Sequence, residues 1–230
     1  PRPPRGSREA SQGRHNNLYW QEETYLTYNR TLKGLHRVNA MLGMSWQAYA
    51  SRYNYSEAQS FESDFFEDLN MGTGKNPRPP GSNYDEWKMN SYFLRLAYTY
   101  NDRYSATFTA RSDGSSKFGK NNKYAFFPSA GLAWIVSEES WLKDNSWLSN
   151  LKLHTSYGLT GNSEIATYRS LARVGSGTVL LDGKRAGAAY ISSLANPDLK
   201  WEKTAQFDVG FDLGLFNNAV NLDFSYYYKH

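Results

Sequence analysis

Hydrophobic and polar positions alternate with a period of two over long stretches of this chain. From Trp201 to Leu213 the odd positions are Trp201, Lys203, Ala205, Phe207, Val209, Phe211 and Leu213, large or apolar except for the lysine. The even positions are Glu202, Thr204, Gln206, Asp208, Gly210 and Asp212. After Asn217 and Asn218 the rule resumes, with Val220, Leu222, Phe224, Tyr226 and Tyr228 set against Asn221, Asp223, Ser225 and Lys229. Successive side chains of a strand point to opposite faces, so each run predicts a strand with one apolar and one polar side.

Six earlier runs follow the same rule. The first, about Leu18 to Asn29, is the least regular, because Glu22 interrupts its apolar side. The second, "RVNAMLGMSWQAY", groups Val38, Ala40, Leu42, Met44 and Trp46. The third, "SYFLRLAYTY", groups Tyr92, Leu94, Leu96, Tyr98 and Tyr100, and the fourth, "RYSATFTARSD", groups Tyr104, Ala106, Phe108 and Ala110. A fifth spans about Tyr124 to Val136 and a sixth about Leu151 to Thr160. Pro128 donates no ladder hydrogen bond and predicts a bulge or an unpaired position inside the fifth. These runs reach roughly ten to thirteen residues, longer than the ~5–6 of soluble sheets. A tilted strand crossing a bilayer needs ~9–11.

The connections alternate in length. "RTLKG", "ND" and "GLFNN" follow strands one, three and seven, whereas about 50–90 and 161–200 follow strands two and six. "GSSKFGKNN" is intermediate, and "SEESWLKDNSWLSN" after strand five is longer than its side predicts. Short turns on one side and long loops on the other are the asymmetry of outer-membrane barrels. With strand one running inward, Trp20, Trp46, Tyr92, Phe126, Trp201, Tyr226 and Tyr228 fall at external strand ends. Tyr28, Tyr98, Tyr100, Tyr104 and Trp134 fall at periplasmic ends. Two such belts are where amphipathic rings settle at membrane interfaces. In the first long loop, "SEAQSFESDFFEDLNMGTG" predicts a short helix, capped by Ser56 or Ser60, with Phe61, Phe65 and Leu69 on one side and Gly72 or Gly74 at its end. "KNPRPPGSNYDEW" after it reads as loop.

Composition changes this picture little. The 230 residues carry a net charge of +4 spread along the chain, which gives no nucleic-acid face. The basic opening, residues 1–17, lacks aromatic residues and reads as a flexible external loop. There is no cysteine, which excludes disulfides and thiolate sites. Mean hydropathy is −0.71 and no apolar run reaches the ~18 residues of a spanning helix. Aromatic residues make up 16%, with 18 tyrosines and 7 tryptophans. His15, His36, His154 and His230 show no zinc-binding spacing. Glu57, Glu62, Asp64, Glu67 and Asp68 lack the spacing of a calcium loop. "GSGTVLLDGKR" lacks a P-loop ending and no GxSxG elbow occurs. No catalytic residue, cofactor or metal is expected.

The segment "ARSDGSSKFGKNNKYAFFPSAGLAWIVSEE" resembles the C-terminal barrel of SusC-like TonB-dependent outer-membrane transporters of Bacteroidota. "LKLHTSYGLTGN", "NPDLKWEKTAQFDVGFDLGLFNN", "VNLDFSYYYK" and the "FFEDLN" loop agree in order, covering most of residues 35–230. The resemblance implies an all-β, antiparallel up-and-down transmembrane barrel of about 22 strands, of which this chain supplies about eight. Residues 18–230 are then a partial barrel domain without plug, TonB box or C-terminal aromatic signal, expected to be a segment of a longer protein. It further implies nutrient import across the outer membrane, a SusD-like surface lipoprotein as lid, energy from the TonB complex, and glycan or peptide as substrate. Asp113, Gly114, Ser115, Ser116, Phe118 and Gly119 would shape the external rim, and Thr160, Gly161 and Asn162 read as a strand exit. Tyr84, Trp87, Tyr168 and Tyr190, on long loops, are the candidate ligand or lid contacts. Two rival readings are a self-contained eight-stranded barrel acting as adhesin or anchor, and a soluble carbohydrate-binding β-sandwich.

Overall fold

A computed structural model describes residues 8–62 and 70–230. It contains β1 (Glu9–Leu32), β2 (His36–Gln59), β3 (Asn76–Pro77), β4 (Gly81–Tyr100), β5 (Tyr104–Ser115), β6 (Tyr124–Ile135), β7 (Leu148–Asn162), β8 (Arg173–Leu181), β9 (Lys184–Ser193), β10 (Glu202–Leu215) and β11 (Val220–Lys229). One antiparallel sheet runs in the order β1-β2-β4-β5-β6-β7-β10-β11, with β3 on β2, and β8-β9 form a separate hairpin. The fold class is the expected one. Among the described residues, β1 and β11 are the two open edges of this sheet.

Two compact units divide the chain: residues 1–21 with 47–88, and residues 22–46 with 89–230. In the larger unit the register sets the apolar residues in rows across the strands. Tyr100 pairs with Tyr104, Tyr104 with Trp134, Trp134 with Leu153, Leu153 with Phe211 and Phe211 with Phe224. Rings in this row touch. Tyr100 and Tyr104 lie 6.3 Å apart at 24°, and Tyr104 and Trp134 lie 6.2 Å apart at 14°. The apolar side stays open, with Leu132 61% and Phe224 53% exposed.

The opposite side of the same strands is a polar network. Lys152 Nζ donates to Asp212 at 3.0 Å, the Ser156 hydroxyl donates to Asp208 at 3.3 Å, and Thr99 bonds Ser105 at 3.2 Å. These polar groups pair with one another across the ladder, as cross-strand pairs do.

Turn chemistry explains the short connections. Asn101 and Asp102 both have positive φ, 49° and 53°, and the turn they centre is closed by the Arg103 N–H on the Tyr100 carbonyl at 3.0 Å, with a twist that matches the flanking strands. Between β8 and β9 the turn has two residues, Asp182 and Gly183, also at positive φ, 51° and 72°. Pro128 pairs with Ala110 of β5, and the β6–β7 ladder starts only at Ser129. The proline therefore sits where pairing toward β7 stops, the unpaired position its missing N–H demands.

Several boundaries differ from the alternation pattern. β1 starts at Glu9 rather than Leu18 and β2 continues to Gln59. Ser56 is therefore a strand residue, and Ser60 has a positive φ of 64°, so neither caps a helix. The remainder of the expected loop helix, including Phe65 and Leu69, lies outside the described residues, as do Asp64, Glu67 and Asp68. Met71–Thr73 form a 3-10 turn capped by the Asn70 side chain. Residues Gly81–Trp87, expected as loop, open β4.

The long β6–β7 connection has a physical reason. It folds back through a 3-10 turn, Val136–Glu138, and places the Glu139 carboxylate under the β4–β5 turn. That carboxylate accepts from the Tyr104 hydroxyl at 2.5 Å, the Trp134 indole N–H at 3.0 Å and Arg103 at 3.1 Å. The Tyr104 hydroxyl chiefly, then the indole, hold the Glu139 carboxyl below its ordinary pKa against the opposing effect of burial, and Arg103 adds to them. A lowered folded-state pKa gives stability that is full above the unfolded value of about 4.3 and lost as pH falls through the folded one. Amide exchange across residues 136–147 should therefore be flat between pH 6 and 8, after correction for intrinsic rates, and lose protection in acid. Glu139→Gln should weaken that protection at pH 7 and flatten its acid dependence.

Candidate functional site

At the end of the larger unit where its long loops gather, two connections are locked together. The β5–β6 loop contributes Phe118, 2% exposed, and the segment entering β10 contributes Trp201, 6% exposed. Their rings stack at 4.6 Å, with Phe127 edge-on to Trp201 at 5.5 Å. The Trp201 indole donates to the Lys123 carbonyl at 3.0 Å. Gly119 N–H donates to Leu199 O at 3.0 Å, and Asn121 Nδ2 donates to Asp198 at 2.8 Å. Glycine is required here because a Cβ on Gly119 would lie 2.0 Å from the Pro197 carbonyl oxygen.

Of the other residues of the two motifs, Gly161 lies against this knot. Asp113, Gly114 and Ser115 are strand residues at the end of β5, not turn formers. Asp113 accepts from Arg111 Nε at 2.7 Å, and Arg111 also donates to Ser91 at 3.0 Å. Ser116 follows β5 into the turn. Thr160, Gly161 and Asn162 close β7. The Gly161 position lies under the Phe127 ring, 2.1 Å from where its Cβ would be. Asn162 donates to Glu202 at 3.0 Å. Trp201 departs from the interface row expected of it. It precedes the first residue of β10, so strand parity does not hold it on the open apolar side, and it turns into this cluster instead.

The remaining interface candidates stay accessible. Tyr92 is 48%, Tyr98 41%, Tyr226 56% and Tyr228 58% exposed. Trp20 is exposed in β1 and Trp46 half-buried in β2.

The smaller unit carries the candidate ligand contacts Tyr84 and Trp87, on strand β4 rather than on a loop. Tyr84 lies under the Arg52 guanidinium at 5.3 Å and donates to Glu86 at 2.8 Å. Trp87 stacks with Tyr49 at 6.0 Å and meets Tyr19 at 6.3 Å. The Tyr49 hydroxyl donates to Asn17 at 3.3 Å. Tyr84 and Trp87 point to opposite sides by parity, so they do not form one site. In the larger unit, Tyr168 occupies a turn with φ of 59°, and Tyr190 is a β9 residue whose ring covers Gly175.

Sequence reasoning overlooked Tyr19, Tyr49, Tyr53 and Tyr55. The signal was present in "QAYASRYNYSEA", where Tyr49, Tyr53 and Tyr55 occupy odd positions, opposite the even apolar positions that end at Trp46. Among the described residues no group of His, Cys, Asp or Glu is placed to hold a metal ion.

A long-stranded antiparallel sheet, apolar and open on one side, polar and internally bonded on the other, with short turns at one end, is a segment of β-barrel wall. Residues 3–230 match the family model described as TonB dependent receptor-like, beta-barrel, and the chain belongs to that family. It is 39% identical over 205 residues to TonB-dependent receptor P3 of Formosa agariphila, covering 89% of this chain and 20% of that protein. TonB-dependent receptor SusC of Bacteroides thetaiotaomicron is 38% identical over 146 residues, 60% of this chain and 14% of that one. Among solved structures, the RagAB peptide transporter superposes with a TM-score of 0.87 at 30% identity, over 95% of this chain and 24% of the other. The chain thus spans about a fifth of the length of TonB-dependent receptors P3 and P26.

The knot generates a direct test. Trp201→Ala removes a buried ring and should cost about 3–5 kcal/mol in denaturant unfolding of the micelle-embedded protein. Trp201→Phe keeps the stack and loses one hydrogen bond, about 1 kcal/mol.

Proposed function

We propose that this chain forms part of the barrel wall and external loops of an outer-membrane, TonB-dependent nutrient importer that takes up glycan or oligopeptide. The observation that carries the reading is the two-sided sheet of the larger unit. Its open apolar side, with the Tyr100–Tyr104–Trp134 row at the short-turn end, suits hydrocarbon and its interface. Its polar side suits a wet lumen, and lipid tolerates no unpaired backbone, which a closed ladder satisfies. Family membership supports the same reading.

In this reading residues 18–230, together with the start of β1, are wall, and the short turns face the periplasm. Trp20, Trp46, Tyr92, Tyr98, Tyr100, Tyr104, Trp134, Tyr226 and Tyr228 mark the membrane interfaces. The Phe118–Trp201 knot holds the external rim, and Tyr84, Trp87, Tyr168 and Tyr190 contact ligand or lid. A SusD-like surface lipoprotein covers the barrel, and the TonB complex acts through parts of the protein outside this chain. The wall performs no bond chemistry. It fixes a lumen and holds loops at a defined height.

The test is genetic and biochemical. The full-length protein should fractionate with outer membrane, and protease added to intact cells should cut the hairpin between Leu181 and Lys184. Deleting the gene should abolish growth on one glycan or peptide source and spare growth on its monomers. Cleavage from the periplasmic side only, or unchanged growth and uptake on every polymer, would overturn the reading.

A further inference from the structure

Along β2 the apolar character changes sides where the chain passes into the smaller unit. Even positions of β2 carry Val38 to Trp46, but beyond Trp46 the even side becomes Arg52, Asn54 and Ser56, and the rings move to odd positions. Two of those rings have glycine beneath them. Tyr53 leans over Gly13 of β1, where a Cβ would come within 2.8 Å of the ring hydroxyl and 2.9 Å of a ring carbon. Tyr55 leans the other way, over Gly81 of β4, where a Cβ would meet the ring at 2.1 Å. Side chains on both neighbouring strands are missing where the rings need to settle, so both rings lie down on the backbone, the way aromatic residues cover glycines in sheets.

The result is a platform. The two rings stack in an offset pair, 5.7 Å between centroids and inclined by only 22°, and the two residues stay 40% and 43% exposed. His15 stands edge-on to Tyr53 at 5.7 Å and 74°, and its Nε2 bonds the Ser51 hydroxyl at 2.7 Å. A half-exposed stacked ring pair beside the exposed His15 imidazole joins the two chemistries of a sugar ring: C–H groups on its face and hydroxyls on its rim. The negative π face attracts polarised C–H groups. A bound peptide strand would instead call for an unpaired sheet edge, and β2 here lies between β1 and β4.

We propose that Tyr53 and Tyr55, on their glycine floor, form a stacking site for a polysaccharide chain. This rests on the importer reading for its place in the pathway, but not for the binding itself.

The test uses the full-length protein purified in detergent micelles, run in native gels containing amylopectin, laminarin or xylan. At least one gel should retard it. Tyr53→Ala/Tyr55→Ala should weaken that retardation about tenfold or more. Gly81→Val, which lifts the Tyr55 ring, should weaken it in the same direction, and Tyr55→Phe should stay within about twofold, since the face does the stacking. Heat-modifiable migration of each variant in SDS gels confirms a folded barrel. No retardation in any of the three gels, or a double variant retarded like the parent, would overturn the site. Uptake separates the two claims. Retardation without any uptake phenotype sinks the importer reading alone, whereas peptide uptake without retardation sinks this inference alone.

Discussion

The hydrogen-bonded ladder is the constraint from which the rest of this structure follows. Every strand interior must give its N–H and C=O groups to two neighbours, and once the register is set each side chain is committed to a side. Tyr104 faces Trp134, and Asp208 faces Ser156, because the ladder leaves them no other place. A one-residue slip of β7 would put Lys152 among the open rings and Leu153 into the polar network, and a slip of β10 would do the same to Asp212 and Phe211. Register is therefore specified twice, once by the apolar rows and once by the polar bonds. The aligned ring row at the short-turn end is a consequence of that register rather than a separate device.

At the two ends of the strands different solutions hold the connections. The short-turn end uses backbone conformation, with Asn101–Asp102 in the left-handed region, and one carboxylate, Glu139, gathering hydroxyl, indole and guanidinium donors. The long-loop end of the larger unit uses a small hydrophobic core. Phe118, Ala125, Phe127 and Trp201 are buried together, and the Gly119 contact brings a second backbone within bonding distance. A core only a few residues wide suffices because β5, β6, β7 and β10 already deliver its members to one place.

Most of the sheet was legible from alternation, since a period of two is a direct image of the pleat. Strand lengths were underestimated where the pattern changes sides: β2 continues beyond Trp46, but its rings move from even to odd positions, so a single-parity count stops early. β8 and β9 escaped because Gly175, Gly177, Ala186 and Ala188 carry little contrast, although Asp182–Gly183 is a strong hairpin signal. The rim motif was legible as a block, yet its role was not. Asp113 and Gly114 are common in turns, and their pairing with Ser91 and Asn90 on one side and Ala125 and Tyr124 on the other shows them to be strand. Trp201 was misplaced because parity holds only inside a strand, and nothing in the sequence marks Glu202 as the first residue of β10.

The bond from Asn196 N–H to Ser170 O, 3.1 Å long, closes the base of the segment that carries β8 and β9. Directly beyond it, Asn196–Trp201 are fixed to the β5–β6 loop. The hairpin therefore stands on a clasp whose geometry does not depend on what lies above it. The length, charge or aromatic content of the hairpin can be altered while the hydrogen bonds of the clasp to the β5–β6 loop stay in place.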